Sequence, residues 1–568
     1  MNYSMSLSIK TVLLASLLAI PAPVCFAADI PDSGQLLRQI APVPSPVQRE
    51  SPKALPQPAE QKPEVSTGAK VKVAGFTFSG NTLFSSNELS ALMSGYLGRE
   101  LTFSELEVAV ADITKLYRTK GYFLASVVIP PQSVKPGMPL SINIIEGTLE
   151  RVRIETTPVE PGIKKCVLRG FANRIPVGKP AEESAITSVV MNINELPNIS
   201  SRILLEPGIR PGTTQAVLEV TEGRPYGFSL DSDNYGNAST GRYRVGGGVE
   251  LYSPLHIGDL LNLRFQSSTN GDLESLQTGY TVPLLPDGTK AGITYSHVNY
   301  RLGAQFVDLN AYGKANSLNL TLTHPLIRQR DLILNATLGG EGQLLDDRNE
   351  KDGSRNYRHT RSVQAGISGM QMDSFLGGGT TVFSVGVVVG RLGIDDTDAL
   401  ANDQSSSGLA TNGGYNKMSM SMSRTQTISS GLSLYAGAYG QLADNNLSSS
   451  EQLSLGGPSG VRAWQPGDSS GDRGLVATAE LRYLFTKAGF IPGSLQSSLF
   501  VDHGYSLLHL NPRPDAGDNT RSLTGAGAGI KWFAGNNLSV QTSCAWKLAG
   551  QSGPTNTPML YIQAVTRF

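Results

Sequence analysis

Apolar and polar residues alternate with a period of two along most of the chain from about residue 226 to the C-terminal Phe568. In residues 243–251 the odd positions are mainly apolar, whereas the even positions hold arginine, glycine or glutamate. Residues 475–485 alternate in the same way, with leucine, alanine, tyrosine and phenylalanine on one side. Because successive side chains of a strand point to opposite faces, this period predicts many strands with one apolar and one polar face.

A soluble sandwich would show the same alternation, but three features favour a transmembrane β-barrel. The region 225–568 contains no predicted helical insertion, it follows an export signal, and it ends on an aromatic residue. Within lipid every backbone polar group needs a partner, so a membrane-spanning sheet must close on itself. At roughly 20 residues per strand and connection, this region is predicted to form a barrel of about 16 antiparallel strands.

Two smaller α+β units precede this region, at 70–147 and 148–224, and each shows the order β-α-α-β-β. The first is predicted to contain strands at 71–78, 124–129 and 140–146 and helices at 86–94 and 103–120, the longer helix ending at Gly121. The second is predicted to contain strands at 149–155, 202–206 and 214–220 and helices at 162–172 and 181–196. Both units end in a Glu-Gly pair, Glu146-Gly147 and Glu222-Gly223, which indicates a weak internal repeat.

The N-terminal residues 1–27 have the pattern of a secretory signal peptide. Lys10 precedes an apolar run at 11–20, and small residues surround a cleavage site after Ala27. A membrane anchor fits less well, since the run is about ten residues and a spanning helix needs about twenty. A lipoprotein signal that uses Cys25 is a further alternative, although Ala22-Pro23-Val24 is a poor sequence to precede its cysteine.

A short helix and a long linker follow the signal peptide. Residues 28–40 are predicted to contain a helix that is capped by Asp32 or Ser33 and carries its apolar side chains on one face; these are Leu36, Leu37 and Ile40, with Arg38 between them. Residues 41–69 are rich in proline and charge, so they are predicted to form a linker. So short a helix is unstable alone and is expected to dock elsewhere in the molecule.

The composition argues against several classes of function. The formal net charge is zero, which removes a general electrostatic argument for binding nucleic acid. Apart from the signal region only Cys166 and Cys544 are present, and the six histidines lack the spacing of metal ligands. With no Gly-rich phosphate loop and no nucleophile–base or paired-carboxylate set, the sequence predicts no enzymatic activity, cofactor or metal.

The most informative chemistry lies near the C-terminus. A glycine-rich loop at 455–474 carries Val461-Arg462-Ala463-Trp464, and the predicted strand at 499–505 carries Phe500, Asp502 and Gly504. The alternation of this strand places Leu499, Val501 and Tyr505 toward lipid and Phe500, Asp502 and Gly504 toward the lumen. Gly504 would then leave room for a loop beside the aspartate, while His503 would face outward.

Together these features resemble the two-partner secretion transporters, also called haemolysin secretion/activation proteins, within the larger group of POTRA-barrel proteins. The family's Val-Arg-Gly-Tyr/Phe and Phe-x-Asp-x-Gly motifs correspond to residues 461–464 and 500–504, with Ala463 in place of the usual glycine. The resemblance implies that the loop enters the lumen and that Arg462 pairs with Asp502. It also implies that the helix at 28–40 is a plug and that Phe568 is a signal for insertion of the barrel.

The same resemblance implies a function and a location. The barrel would lie in the lipid outer membrane, and two periplasmic POTRA domains, 70–147 and 148–224, would bind a secreted exoprotein for passage through the pore. Haemolysin, adhesin and contact-dependent toxin all remain possible cargoes. Periplasmic chaperones and the barrel-assembly machinery would be partners during biogenesis. An assembly factor that inserts other outer-membrane proteins is the alternative, since it would use the same parts.

Overall fold

The computed structural model describes residues 30–40, 70–133, 138–158, 162–486, 492–513, 517–535, 537–550 and 557–568. The predicted signal peptide and the predicted linker at 41–69 lie outside these described residues. Within these ranges, no helix is both long and apolar enough to cross a lipid bilayer.

The C-terminal region forms a closed barrel of sixteen antiparallel strands, as predicted. In chain order these are Tyr226–Asp233, Arg244–Tyr252, Leu260–Ser268, Leu273–Pro283, Lys290–Arg301, Ala311–Arg328, Leu332–Asn349, Ser354–Asp373, Gly379–Ile394, Gly413–Ser429, Leu432–Ala443, Arg473–Phe485, Ser494–Leu507, Thr520–Ala534, Leu538–Ala549 and Met559–Arg567. The last strand pairs with the first and closes the sheet. We call the end at Tyr226, where the α+β units join, the module end, and the opposite end the distal end.

The expectation that no helix interrupts the barrel region is wrong. A distal loop contains the helix Thr397–Gln404, whose first backbone N–H groups donate to the carboxylate of Asp396. Short 3₁₀ segments also occur at Ala304–Leu309 and Phe375–Gly377. The helix has only eight residues and lies between strands, so it does not disturb the alternation on which the prediction was based.

The predicted inward and outward faces of the strand Ser494–Leu507 are confirmed. Leu499 is 64% exposed on the outer surface, and Val501 and Tyr505 are exposed with it, whereas Asp502 is 0% exposed inside the barrel. His503 points outward, with Nδ1 lying 2.9 Å from the hydroxyl of Thr524 on the neighbouring strand. The strand therefore presents an apolar face to lipid and its motif to the lumen.

The first α+β unit contains helices Ser86–Leu92 and Phe103–Thr119 and strands Val71–Lys72, Phe76–Ser79, Glu100–Leu101, Ser126–Val128 and Leu140–Ile145. The single strand predicted at 71–78 is thus two strands. They separate because Val71–Lys72 pairs with Glu100–Leu101, whereas Phe76–Ser79 pairs in parallel with Leu140–Ile145. Gly121 follows the long helix with a φ of +90°, in agreement with its predicted capping position.

The second unit contains helices Lys165–Ala172 and Glu183–Asn194 and strands Thr148–Thr157, Ile199–Pro207 and Thr213–Glu222. In both units the last strand is the centre of a three-stranded sheet. It is parallel to Phe76–Ser79 and antiparallel to Ser126–Val128 in the first unit, and parallel to Thr148–Thr157 and antiparallel to Ile199–Pro207 in the second. The weak repeat also has a structural counterpart. Glu146 accepts hydrogen bonds from the backbone of Thr82 and Leu83, and Glu222 accepts one from Gly162. Each carboxylate therefore fixes the segment between the first strand and the first helix of its unit.

The N-terminal helix Ser33–Ile40 lies inside the barrel, against the strands Lys290–Arg301, Ala311–Arg328 and Leu332–Asn349. Of the two predicted caps, the side chain of Asp32 accepts from the backbone N–H of Gln35. The apolar face of the helix is buried against inward side chains of the wall, including Val298, Tyr300 and Leu345. The helix is therefore stabilised by packing within the lumen, as its short length requires.

Candidate functional site

The site is built on the loop that joins the strands Leu432–Ala443 and Arg473–Phe485. This loop leaves the distal end of the barrel and folds back into the lumen, where two short strands, Leu453–Ser454 and Ser470–Gly471, pair with each other. At its tip, the Val461 N–H donates to the carbonyl oxygen of Leu455, and the Trp464 N–H donates to that of Val461. These turns fix the direction of the side chains that lie between them.

The structure brings Arg462 and Asp502 into direct contact. Nε of Arg462 lies 2.8 Å from Oδ2 of Asp502, and Nη2 lies 2.8 Å from Oδ1. The backbone N–H of Arg462 donates to Oδ2 at 3.1 Å, and the Thr478 hydroxyl donates to Oδ1 at 2.9 Å. Four donors thus satisfy a carboxylate that has no contact with solvent, and two of them form the bidentate pair that guanidinium geometry favours.

Three further side chains complete the electrostatics of this site. The guanidinium carbon of Arg462 lies 3.2 Å from the centroid of the Phe500 ring, an arrangement that adds a cation–π attraction. Glu480 lies 3.7 Å from Nη1 of Arg462 and 3.2 Å from Nη2 of Arg482. The site therefore contains two arginines and two carboxylates, so its formal charge is balanced.

Thr478 and Glu480 were not predicted as members of this site. They face Asp502 and Phe500 directly in the register of the neighbouring strand. Their signal in the sequence is their polar position in the alternation at 475–485. It becomes informative only when that strand is known to lie beside the motif strand.

The tip of the loop also forms an apolar cluster with the wall. Val461, Ala463 and Trp464 are buried, and they pack with Leu455, Val476, Phe500, Leu523 and Ala545. The backbone carbonyl of Trp464 accepts a hydrogen bond of 2.6 Å from the hydroxyl of Tyr561. Burial of these side chains supplies a non-directional attraction in addition to the ion pair.

Glycines in the wall provide the space into which the loop fits. A β-carbon at Gly504 would lie 2.9 Å from Cγ2 of Val461, as the predicted role of this glycine requires. Two more glycines act in the same way: a β-carbon would lie 2.7 Å from Ala463 at Gly525 and 2.6 Å from Trp464 at Gly550, whereas at Gly527 it would lie 2.6 Å from the ring of Phe500 on the wall itself. None of these three was predicted. Larger residues at these four positions would force the loop or the wall to move.

Ala463 occupies the place of the family's usual glycine without backbone strain. Its φ lies outside the left-handed region that favours glycine. Its methyl group is buried in the space beside Gly525. The tip conformation therefore does not depend on a glycine at this position.

The N-terminal helix is held by a second group of charges, which sequence reasoning missed. Nη2 of Arg358 lies 3.0 Å from Oδ2 of Asp32 and 2.6 Å from Oδ2 of Asp347. Asp347 also accepts from the Ser33 backbone N–H at 2.8 Å and from the Tyr300 hydroxyl at 2.7 Å. Asp32 and Ser33 lie more than 300 positions before Asp347 and Arg358 in the sequence, so no local pattern could connect them.

The predicted apolar residues of this helix lie against the wall. Leu36 and Leu37 are buried, and Ile40 packs at the edge of the same cluster, whereas Arg38 is half-buried. The helix also touches the loop that carries Arg462: Asp32 accepts a hydrogen bond from the Ser449 hydroxyl, and a β-carbon at Gly34 would lie 2.8 Å from Cβ of Ser450. Helix and loop therefore fill the lumen as neighbours.

Phe568 lies at the module end, where its backbone pairs with the first barrel strand. Its N–H donates to the carbonyl oxygen of Phe228 at 2.9 Å, while its side chain is half-exposed on the outer surface. Elsewhere in the described ranges, no group of three or more acidic, histidine or cysteine side chains is arranged to bind a metal ion. Cys166 and Cys544 are free thiols in different parts of the fold.

Two family profiles match the chain. The family described as haemolysin secretion/activation protein ShlB/FhaC/HecB matches residues 212–532, which is more than half of the chain. The family described as POTRA domain, ShlB-type, matches residues 71–147, the first α+β unit. Together they cover the first unit and most of the barrel with its loop.

Individual relatives agree with these families. The heme/hemopexin transporter protein HuxB of Haemophilus influenzae is 25% identical over 484 residues, which are 85% of this chain and 84% of the relative. The structure of CdiB from Escherichia coli has a TM-score of 0.72 at 22% identity and covers 89% of this chain and 92% of its own. BamA from Haemophilus ducreyi, lacking POTRA domains 1–3, has a TM-score of 0.50 at 16% identity and covers 88% of this chain and 100% of its own. These two structures show likeness of fold.

Proposed function

The chain belongs to the haemolysin secretion/activation protein family, and from this membership we propose that it exports a large exoprotein across the outer membrane by two-partner secretion. The barrel lies in the outer membrane, with the α+β units in the periplasm, so the module end is periplasmic and the distal end is extracellular. The cargo would enter the barrel from the units and leave at the cell surface.

The observation that carries this proposal is a lumen filled by two segments that are not part of the wall. A passive pore would have no need of an N-terminal helix across its path or of periplasmic units below it. Residues 41–69 join the helix to the first unit along the chain, and among the described residues the helix has fewer contacts with the wall than a barrel strand has with its neighbours. We propose that Ser33–Ile40 is a plug that leaves the lumen during transport.

The periplasmic units offer a means of binding unfolded cargo. In the first unit, Phe76–Ser79 and Ser126–Val128 are the outer strands of a three-stranded sheet, and in the second unit Thr148–Thr157 and Ile199–Pro207 have the same position. Outer strands present unpaired backbone groups, so an extended segment of cargo can add to the sheet. This mode of binding recognises any extended backbone. Selection among haemolysin, adhesin and contact-dependent toxin would then depend on side-chain contacts.

The loop and the C-terminal residue would have separate roles. We propose that the Arg462–Asp502 pair fixes the loop in the lumen during the passage of cargo and that Phe568 is recognised during insertion by the barrel-assembly machinery, with periplasmic chaperones acting before it. The sequence contains no nucleotide-binding motif. Folding of the cargo outside the cell would therefore supply the direction of transport.

A secretion assay tests the proposal and separates it from the alternative of an assembly factor. The chain would be co-expressed with the exoprotein encoded beside its gene, and cargo would be measured in the medium and on the cell surface. Deletion of residues 71–147 should abolish secretion while the barrel still reaches the outer membrane. If deletion of the whole gene instead lowered the levels of many outer-membrane proteins and left secretion intact, the chain would be an assembly factor.

A further inference from the structure

Two arginines stand side by side on the outer surface of the barrel. Arg361 lies in the strand Ser354–Asp373 and Arg391 in the strand Gly379–Ile394, and the register of the two strands places them directly opposite each other. Both side chains are exposed. They share the outward face with Val363 and Val389, two positions away on their own strands, which are 59% and 58% exposed.

Neither arginine has a partner within the described residues. The residues that face them on the two flanking strands are Gly342 and Gly414, which carry no side chain. No hydrogen bond or ion pair joins either guanidinium to another part of the described protein. Like charges directly opposite each other on one face of a sheet are destabilising, so this pair is unfavourable unless an anion lies between its members.

On these two strands the arginine pair marks the extracellular edge of the apolar surface. Toward the periplasm, outward positions hold Val363 and Ile367 on one strand and Val385, Val387 and Val389 on the next, all of them exposed. Toward the extracellular loops, His359 and Gly393 follow at the next outward position. Barrels of this kind change from apolar to polar surface at the level of the lipid headgroups. The pair therefore lies where the headgroups of the outer leaflet begin.

Charged side chains further toward the extracellular loops interact with one another. Arg348 and Arg355 share one carboxylate, that of Asp346, at 3.2 and 2.8 Å, and Lys314 faces the same aspartate across the sheet. Asp396 also attracts Arg355, and Asp395 lies 3.0 Å from Nδ1 of His359. Arg348 and Arg355 therefore have acidic partners, unlike Arg361 and Arg391.

The periplasmic edge of the same surface is arranged differently. Arg424 also faces outward there, but it forms a bidentate pair with Asp373, with Nη1 and Nη2 at 2.7 and 2.9 Å from the two carboxylate oxygens. The outer surface of this barrel thus does contain an arginine that is paired with a carboxylate. The unpaired arginines occur at the edge that contacts the outer leaflet.

We propose that Arg361 and Arg391 bind a phosphate group in the headgroup of an anionic glycolipid of the outer leaflet, of the lipid A class. Two guanidinium groups match the oxygens of a phosphate, and binding removes their mutual repulsion. The aliphatic parts of both side chains lie along the apolar surface while their charged ends reach the headgroup level. Gly342 and Gly414 leave open space on both sides for the sugar ring that carries the phosphate.

Full-length protein in phosphatidylcholine vesicles, with and without diphosphorylated lipid A, tests this proposal. After detergent extraction and gel filtration, mass spectrometry would measure the lipid A retained per protein. The R361Q/R391Q variant should retain roughly tenfold less lipid A than the wild type, since it loses charge-assisted contacts to phosphate. R424Q, which changes an outward arginine at the opposite edge, should retain as much as the wild type.

Two further measurements make the result specific. Dephosphorylated lipid A should be retained poorly by the wild type, and excess inorganic phosphate should displace little lipid A. In vesicles without lipid A, R361Q/R391Q should unfold at a temperature equal to or above that of the wild type because the repulsion is gone, whereas lipid A should raise only the wild-type midpoint. Equal retention by wild type and double variant would overturn the proposal, as would displacement by phosphate, which would indicate a site for the free anion.

Discussion

The loop around Arg462 and the N-terminal helix both fill the lumen, but they differ in what their removal would leave behind. Asp502 would keep only its bond from Thr478 among the donors that the described residues give it, because the other three come from Arg462. If the helix leaves, Arg358 retains Asp347 on the wall, and Asp347 retains Tyr300. The ion pair beneath the helix therefore stays intact without it.

This difference indicates which segment is built to move. A buried charge left without its partner is costly, whereas a pair that remains intact costs little when a third group departs. The loop is also joined to barrel strands at both ends and fits into the space beside three glycines. We infer that the loop is a fixed part of the lumen and that the helix is the removable part.

The largest effect is expected from R462A. It leaves the Asp502 carboxylate buried and unpaired, which should lower the free energy of unfolding by about 3–5 kcal/mol and strongly reduce secretion. The first effect would be measured by unfolding the barrel in detergent and detecting unfolding as the loss of its heat-modifiable electrophoretic mobility. The exchange R462D/D502R should recover part of both.

R153Q is the control for this prediction. Arg153 forms ion pairs with Glu155 and Glu206 on the exposed surface of the second unit, where such pairs contribute little. If the exchange variant recovered nothing, or if R462A were as stable as R153Q, the loop would not be fixed by this pair.

A smaller effect is expected from G525V, which tests the shape of the wall rather than its charge. The added side chain would occupy the space of the Ala463 methyl group and should cost about 1–3 kcal/mol by overpacking. A463G should relieve part of this cost in the double variant. A526V adds volume on the outer face of the same strand and should leave stability and secretion near wild-type values. Equal effects of the two valines would show that contact with the loop is not the cause.

Glu146 is a carboxylate that fixes a segment without any arginine. Burial raises the pKa of Glu146, but the hydrogen bonds from Thr82, Leu83 and Tyr117 outweigh it, so the pKa lies below its ordinary value. Its contribution to stability is thus present above the unfolded pKa of about 4.3 and is lost as the pH falls through the lower folded pKa. E146Q should destabilise the first unit by about 1–2 kcal/mol and remove this pH dependence.

Hydrogen exchange of residues 82–92 in the full-length protein would measure this effect, with the second unit as an internal reference. The exchange rates of the second unit should not respond to E146Q. If E146Q still lost its protection from hydrogen exchange at low pH, a group other than Glu146 would be the cause of that loss.

The smallest effect on stability is expected from D32A. The variant removes the helix-side carboxylate but leaves the Arg358–Asp347 pair, so barrel stability should change by less than about 1 kcal/mol. Conductance in planar bilayers should nevertheless rise, and deletion of residues 32–40 should raise it further. Q35A changes a helix residue outside this charge group and should conduct like the wild type. Unchanged conductance in the deletion would contradict the role of the helix as a plug.

The sequence was sufficient for features that depend on local period or on a recognised motif. The alternation at 499–505 correctly assigned Asp502 to the lumen, and the repeated Glu-Gly pairs pointed to equivalent positions in the two units. Gly525 could not be assigned as a partner of the loop, because this requires knowing that it faces Asp502 on the next strand. The register between strands is set by contacts across the whole sheet rather than by either strand alone.

The charge group around Arg358 shows the same limit on a larger scale. Asp32, Asp347 and Arg358 come from the N-terminal helix and two different strands, and each is an ordinary polar residue in its own segment. The helix Thr397–Gln404 was missed for another reason, since its apolar residues form no face that must be buried. For the charge group the missing information is tertiary, whereas for this helix the periodic pattern itself is absent from the sequence.

The close fit between Ala463 and Gly525 constrains how the family can diversify. Only one of these two positions has room for a methyl group. Alanine at one position is therefore tolerated only when the other position is glycine. Relatives that keep glycine in the loop are therefore free to carry alanine on the wall. Substitutions at the two positions should be correlated across the family, although positions 463 and 525 are 62 residues apart in the sequence.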